Sequence, residues 1–542
     1  VNKQTFIQGA MILMVAGVIN RILGFLPRIL LPRIIGDEGV GLYQLGYPFF
    51  LVIVTIISGG IPLAVAKLVA EAESQGDKQK SSAILRNSLI LTCGVGALFT
   101  LLSIIFAPWV SNHILTDPRV YQTFLAMSPM IVIVAASSVY RGYFQGKQDM
   151  IPSALSSTLE TIARIICGLC FSYLMLPMGL AYGAAGAMLG VVAGEAVGFA
   201  VLLWQYSKMR RHEGKKHAKA GLDPEEPSLA QQVQPNQQIQ KAQTQKAGFI
   251  SSIKSLLTIA IPVTAGRLVG SLSYLLESIT TAQALAIAGV ATAVATAQYG
   301  ALQGMIIPLI LLPGALTASL ATSLVPSLSE AKAKGDEKTI HLRLHQSLRL
   351  ALLTGAPFAA IMYVIAEPLC LVIFNHADIA GMLRLIAPFA IFIYAQPPLQ
   401  AALQALDQPG RALINTLIGA TIKIVLIFYL AVNPSFGIYG AVIAIAANMI
   451  IVTLLHSYSI ARKIHYHVPF IDIIKIISAM FIMGAVGKFI YEQVVAGASA
   501  VSQIVVVSGG SAIIYLILLL LLGMLDIHDI KRIPFIKKRF NH

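Results

Sequence analysis

Six basic residues stand inside long apolar runs of the chain: Arg21, Arg28, Arg164, Arg267, Lys423 and Lys488. A guanidinium at the centre of a membrane helix costs roughly 2.5–3.5 kcal/mol on insertion scales, so such charges must face a wet cavity or paired groups rather than lipid. Guanidinium is a planar fork of donors that engages phosphate oxygens two at a time, and a group of them is suited to a pyrophosphate. Three carboxylates, Glu160, Glu195 and Glu277, share these runs. Glu160 and Arg164 are spaced i, i+4, which lets them pair on one helix; a self-neutralised pair and a substrate contact are equally compatible with that spacing. Glu195 and Glu277 have no basic residue close by in sequence, Arg267 lying ten residues before Glu277. Each is open to protonation, to pairing across helices or to coupling with H⁺ or Na⁺, and cross-helix pairing is the plainer reading. Arg21, Arg28, Arg164, Arg267 and Lys423 against the three acids leave a net charge of +2, which favours an anionic substrate over an organic cation. Lys488, near the end of its run, reads as a side chain that snorkels to the interface.

The elements that must hold these residues follow from composition. The chain has 542 residues, 56% hydrophobic and only 12% charged, against roughly 25% charged in soluble domains; a soluble enzyme is excluded. Crossing a bilayer takes about 20 mostly apolar residues, and fourteen such runs occur, from 5–31 to 503–524. The first is too long for a signal-peptide core and lacks a small-residue cleavage site, so it counts as a span; a chain opening on Val1 is expected to have had its initiator trimmed or read from another codon. Arg21 and Arg28, seven residues apart, would share one face about 10 Å apart in height on a continuous helix, but Pro27 and Pro32 can each kink it. The stretch 207–250 is Gln-rich and charged, and reads as a cytoplasmic linker. Of the 39 Lys and Arg, thirty fall in segments on one side, Arg141 and Lys147 among them, and only Arg33, Arg119 and Arg384 on the other. By the excess of basic residues in cytoplasmic loops, both termini are cytoplasmic in a multi-pass cell-membrane protein. The net charge of +15 then reflects loops facing anionic membrane lipids rather than nucleic acid.

The halves repeat one another. Gly76-Asp77 matches Gly335-Asp336, Ser88-Leu89 matches Ser347-Leu348, Pro129 matches Pro388, Gln145 matches Gln404, and Arg164 matches Lys423, each at an offset of 259. Asn20-Arg21-Ile22-Leu23-Gly24 matches Gly266-Arg267-Leu268-Val269-Gly270 at 246. Six spans separate corresponding helices, so the repeat is parallel. The expected fold is an all-α integral membrane protein of about 14 transmembrane helices. Two pseudo-symmetric six-helix bundles, 1–206 and 251–460, are followed by two C-terminal helices and a basic cytoplasmic tail in 461–542.

Other patterns carry less chemistry. Breaks at Ser58-Gly59-Gly60-Ile61-Pro62, Pro308 and Pro313-Gly314 can bend transporter helices. The run Gly183, Gly186, Gly190, Gly194, Gly198 reads as close helix packing. There is no phosphate-binding G-x-x-x-x-G-K-[ST] loop. His341 and His345 lack the Glu of a zinc-protease helix, and Cys167-x-x-Cys170 lacks a second ligand pair, so no metal is implied. The four cysteines sit in apolar runs and form no disulfide framework. No cofactor motif is present, which leaves coupling to Na⁺, H⁺ or the membrane potential. Clustered acids or histidines at one membrane face, which a membrane enzyme needs, are missing.

Beyond these readings, the segments KQTFIQGAMILMVAGVINRILGF, IIGDEGVGLYQ, KLVAEAESQGDKQK, YRGYFQGKQDMIP, GAAGAML, AQALAIAGVATAVATAQYG and PLQAALQAL resemble the polysaccharide-transporter branch of the multidrug/oligosaccharidyl-lipid/polysaccharide exporter superfamily. The resemblance implies two bundles with alternating access and a role in building the peptidoglycan of the spore cortex. Lipid II flippases of this branch share the start of span 1 seen here as Asn20-Arg21-Ile22-Leu23-Gly24-Phe25. Their following Arg-Asp pair is replaced by Pro27-Arg28-Ile29, so the carry-over is firm for Arg21 and looser for Arg28. In those flippases the last two spans form a groove for the lipid tail. The expected function is a flippase for an undecaprenyl-pyrophosphate-linked oligosaccharide, with Arg21, Arg28, Arg164, Arg267 and Lys423 holding the substrate. The alternatives are a cation-coupled multidrug antiporter and a scaffold that recruits cell-wall synthesis proteins through the linker.

Overall fold

The computed structural model describes residues 6–220, 235–466 and 470–524. Helix is the only regular structure among them. The chain divides into two compact units, Val1–Ser278 and Ile279–His542.

The first unit opens with α1 (Phe6–Leu23) and α2 (Leu26–Ser58), separated at Gly24–Phe25. Arg21 and Arg28 therefore stand on two helical segments, and the single continuous face considered from their spacing is interrupted. Pro27 causes little strain because it occupies the first turn of α2, where its missing N–H has no intrahelical partner to lose. A second kink falls at Gly36, whose φ of 69° and ψ of −178° are costly for a residue with a Cβ. After the expected break at Gly59–Gly60 come α3 (Ile61–Ser74), α4 (Lys78–Trp109), α5 (Val120–Met127), α6 (Met130–Gly146), α7 (Ile151–Met175), α8 (Leu180–Ala220) and α9 (Pro235–Ile287). Most of α9 belongs to this unit, although the sequence placed its span in the C-terminal bundle. The close approach explains why: a Cβ on Gly60 would lie 2.1 Å from the Ala260 carbonyl oxygen, and one on Gly59 3.4 Å from Thr264. Around this contact Val65, Val69, Leu85, Phe144, Leu202 and Leu256 form an apolar core.

The second unit continues with α10 (Thr292–Gly300), α11 (Ile307–Leu311), α12 (Gly314–Ala333), α13 (Glu337–Val364), α14 (Ala366–Phe374), α15 (Ala380–Ile386), α16 (Ala390–Ala405), α17 (Pro409–Ala431), α18 (Ile438–Ile464), α19 (Phe470–Phe489) and α20 (Ala500–Leu521). The run expected as one span over 297–324 is broken at Leu312–Pro313, with α12 restarting at Gly314. Leu324, Leu328, Leu344, Leu348, Leu399 and Leu403 make this unit's core.

Among the described residues, thirteen helical stretches are long and apolar enough to cross a membrane. The first, Val15–Ser74, has 60 residues and holds the first two of the fourteen expected spans, since about 20 residues suffice for one crossing. The backbone repeats as the sequence does. Left-handed or otherwise positive φ values recur 259 residues apart at Gly76 and Gly335, Thr116 and Asn375, and Gln148 and Asp407. Asp77 caps α4 by accepting from the Lys80 amide, and Asp336 caps α13 by accepting from the Thr339 amide. The ends of the expected linker are helical, in α8 to Ala220 and in α9 from Pro235. Its middle, 221–234, lies outside the described residues, as do both termini and the basic tail.

Candidate functional site in the first unit

The site is built where α7 and α8 pack almost backbone to backbone. A Cβ on Gly186 would sit 2.5 Å from the Phe171 carbonyl oxygen, one on Gly190 2.1 Å from the Gly168 Cα, and one on Gly194 2.7 Å from the Arg164 Cβ. Only glycine allows this approach. Ser156 and Ser172 bridge the same pair, donating to the Gly198 and Gly183 carbonyls at 2.9 Å each. The consequence is chemical: Glu160 and Arg164 on α7 and Glu195 on α8 are brought into one cluster, with both carboxylate residues buried.

A fourth member comes from α6. Arg141 donates from Nη2 to Glu160 Oε2 at 2.5 Å, and the same nitrogen lies 4.0 Å from Glu195 Oε2. Arg164 Nη2 lies 3.6 Å from Glu160 Oε1 and donates to the Thr161 hydroxyl at 3.3 Å. Two acids and two guanidiniums thus form a network that is neutral when all four are ionised.

Arg164 also lines a cavity of about 60 Å³ together with Pro27, Tyr43, Gly168, Leu169 and Val191. Tyr43 and Tyr47 stack with ring centroids 6.0 Å apart, so the wall that Arg164 shares with Tyr43 is continued by a second ring. Beside them, Tyr274 on α9 donates to Gln44 Oε1 at 3.1 Å; Glu277, three residues on, is buried. Arg28 makes no ion pair with any described residue and is exposed from the protein. Arg21, on α1, is exposed next to Asn20, which donates to the Ser157 hydroxyl of α7 at 3.1 Å. Arg267 is exposed on α9, on a helix surface left open at Gly266 and Gly270. The structure therefore brings Arg164, Glu160 and Glu195 together, with Arg21, Arg28 and Arg267 exposed on helices of the same unit.

Comparison with known proteins adds identity to this geometry. Residues 6–332 match the family model for polysaccharide biosynthesis proteins, and 271–429 that for MatE. The chain is 39% identical over 541 residues to stage V sporulation protein B of Bacillus subtilis (strain 168), covering 98% of each chain. It belongs to the polysaccharide biosynthesis protein family. The lipid II flippase MurJ of the same organism is 31% identical over 217 residues, 38% of this chain and 40% of that one. Among solved structures, the inward closed conformation of lipid II flippase MurJ aligns with a TM-score of 0.66 at 17% identity, covering 94% of this chain and 98% of the other. An inward-facing multidrug resistance MATE family transporter aligns at 0.63 with 14% identity, covering 82% and 94%. These likenesses establish the fold.

For this member of the polysaccharide biosynthesis family, the second unit holds the remaining predicted ligand. Lys423 stands half-buried on α17, at the repeat position of Arg164. Where the first unit has its charged network, the corresponding helix pair of the second has a neutral one: Asn415 on α17 donates at 2.9 Å to the Ser459 hydroxyl and contacts His456 Nδ1 at 3.1 Å. An apolar cavity of about 380 Å³ is lined by Leu348, Leu352, Phe392, Leu399, Ile473 and Ile476, with Arg349 and Asp472 also on its wall. Of the last two spans, α19 contributes to this cavity and α20 does not. His345 and Asp472 pair at 3.2 Å beside it. Sequence reasoning missed Arg141, Tyr43, Tyr47 and His456. Arg141 was assigned to the basic face because the apolar run before it stops near 140, although α6 continues to Gly146.

Proposed function

We propose that this protein is a flippase that moves an undecaprenyl-pyrophosphate-linked, lipid II-like peptidoglycan precursor from the cytoplasmic to the outer leaflet. The observation that carries the reading is the small cavity in which Arg164 and Tyr43 share a wall with Pro27, the neighbour of Arg28, with Tyr43 stacked on Tyr47, a cationic, aromatic site in a unit made of membrane-spanning helices. The guanidiniums engage the pyrophosphate through charge-assisted, two-pronged hydrogen bonds, and the tyrosine faces offer a platform for the attached sugar. The apolar cavity of the second unit has the chemistry to accept a polyprenyl chain. The family membership and the partial likeness to a protein named lipid II flippase favour this substrate class over others. Alternating access uses the breaks at Gly36, Gly59–Gly60 and Pro313 as bending points. Coupling needs no ATP: with the inside negative, each negative charge exported gains about 2.3 kcal/mol per 100 mV.

A vesicle assay tests the reading. Reconstituted protein is expected to expose a fluorescent undecaprenyl-pyrophosphate lipid to the opposite leaflet faster than protein-free vesicles do, and faster still when the protein's cytoplasmic side is made negative. Rates equal to those of protein-free vesicles would refute it. The MatE match over 271–429 favours a second reading, a cation-coupled multidrug antiporter. That reading requires ion-gradient-driven efflux of an organic cation, unaffected by the pyrophosphate lipid.

A further inference from the structure

We propose that Arg141 is a positioning residue that occupies the Glu160 and Glu195 carboxylates, so that Arg164 stays available to an anionic headgroup. The inference rests on the reading of this region as the pyrophosphate site.

The oxygens of Glu160 are divided between two guanidiniums. Oε2 accepts from Arg141 at 2.5 Å, while Oε1 is 3.6 Å from Arg164. Coulomb attraction scales as the inverse of distance, so the Arg141 contact is about 1.4 times the stronger of the two in the same medium. Arg141 is also the guanidinium that reaches Glu195, at 4.0 Å. It is less exposed than Arg164, with 27% against 36% of the side chain accessible, and Arg164 rather than Arg141 lines the cavity with Tyr43. Glu195 Oε2 is buried without a hydrogen bond, so it holds acceptor capacity in reserve. Without Arg141, two buried carboxylates would have Arg164 as their nearest cation, and leaving them unpaired is costly. Arg164 would then be drawn onto them. The charge summed over Arg28, Arg141, Arg164, Glu160 and Glu195 would fall from +1 to zero, and with it the attraction for an anion.

The test reads the potential at position 164 directly. In a protein with Cys93, Cys167, Cys170 and Cys370 replaced, Arg164→Cys is reacted with an anionic and a cationic methanethiosulfonate reagent, and the ratio of their rates is recorded. Arg141→Gln is expected to lower the anionic-to-cationic ratio by about fivefold or more, an effect of local charge. Arg141→Lys should leave it within about twofold, and Arg141→Gln with Glu160→Gln and Glu195→Gln should return it to the starting value or above. Glu160→Gln with Glu195→Gln, keeping Arg141, should raise it, which provides a reading even if Arg141→Gln alone does not fold. In parallel, native mass spectrometry with undecaprenyl pyrophosphate on protein retaining Arg164 should show binding about tenfold weaker in Arg141→Gln, a change of about 1.4 kcal/mol, with recovery in the triple variant. A ratio indifferent to Arg141 and to the two carboxylates overturns the proposal. So does a ratio that falls while binding of the lipid is unchanged. If the wild type binds no undecaprenyl pyrophosphate at all, the substrate reading fails, while the reagent ratio still decides what Arg141 does to the surroundings of Arg164.

Discussion

Among single residues, charge inside a membrane was the most legible signal. Arg28, Arg164, Glu160 and Glu195 stand out in sequence because each is expensive in lipid, and the structure gathers the last three. Arg141 was not legible: its partner Glu195 is 54 positions away, and no periodicity encodes a contact between different helices. The Tyr43–Tyr47 stack was hidden for a different reason, since aromatic residues in membrane helices are common. Replacing Arg164 or Arg28 by Ala is expected to weaken binding of a pyrophosphate lipid roughly tenfold or more, as loss of a charge-assisted contact should, with melting in detergent little changed. Titration by native mass spectrometry checks both. Between α4 and α5, Arg119 donates to Asp117 at 3.1 and 2.9 Å and to Glu38 at 2.6 Å. Asp117 is buried and also accepts from the Arg119 amide at 3.0 Å, so Arg119→Met should remove the side-chain share of its pairing and destabilise by about 1–3 kcal/mol. The lower end is expected because Arg119 is itself more than a third exposed, and thermal unfolding in detergent measures it.

Helices set how closely such residues can approach. The glycine run of α8 was readable as a packing surface from spacing, but not its partner: the contacts at Gly186, Gly190 and Gly194 are all with α7, which places the acids. Gly190→Leu should therefore separate α7 from α8 and lose folded protein, seen as failure to elute as a single species. Gly190→Ala, whose Cβ meets the Gly168 backbone, should cost about 1–3 kcal/mol by overpacking. The first span shows the reverse, where sequence suggested kinks at Pro27 and Pro32 and the breaks fall at Gly24–Phe25 and Gly36: Pro27 is tolerated in the first turn of α2, and Pro32 lies inside the helix, four residues before the Gly36 break. At the start of α13, hydrogen bonds from the Thr339 hydroxyl and amide hold the Asp336 carboxyl below its ordinary range. Its folded value lies under its unfolded one, so the cap contributes fully above the unfolded value and is lost as pH falls through the folded one. Hydrogen exchange at the Thr339 amide, corrected for its intrinsic rate, should accelerate below about pH 4. Asp336→Ala should abolish that pH dependence.

At the scale of the whole molecule, the internal repeat was legible in sequence and recurs in the backbone, down to matched positive-φ positions. What the repeat did not encode is divergence. In the first unit Lys147 pairs with Glu73 at 3.5 Å; in the second, Lys332, at the repeat position of Glu73, pairs with Asp407, one residue past the repeat position of Lys147, so the charges are exchanged with a one-residue shift. The pair survives because attraction is indifferent to which side carries which sign. The deeply placed networks diverged further, into four charges on one side and Asn415, His456 and Ser459 on the other. An offset of matching residues gives no warning of this, since the positions that differ are the ones an alignment passes over. Deleting the linker 207–250 separates transporter from scaffold, since a flippase should keep its vesicle rate without it. The central claim is met most directly by transbilayer movement of a fluorescent undecaprenyl-pyrophosphate lipid in vesicles at a set membrane potential. The account predicts movement that requires the protein, accelerates when the protein's cytoplasmic side is negative, and slows roughly tenfold in Arg28→Ala and Arg164→Ala. Movement no faster than in empty vesicles, or equal in wild type and both variants, would contradict it.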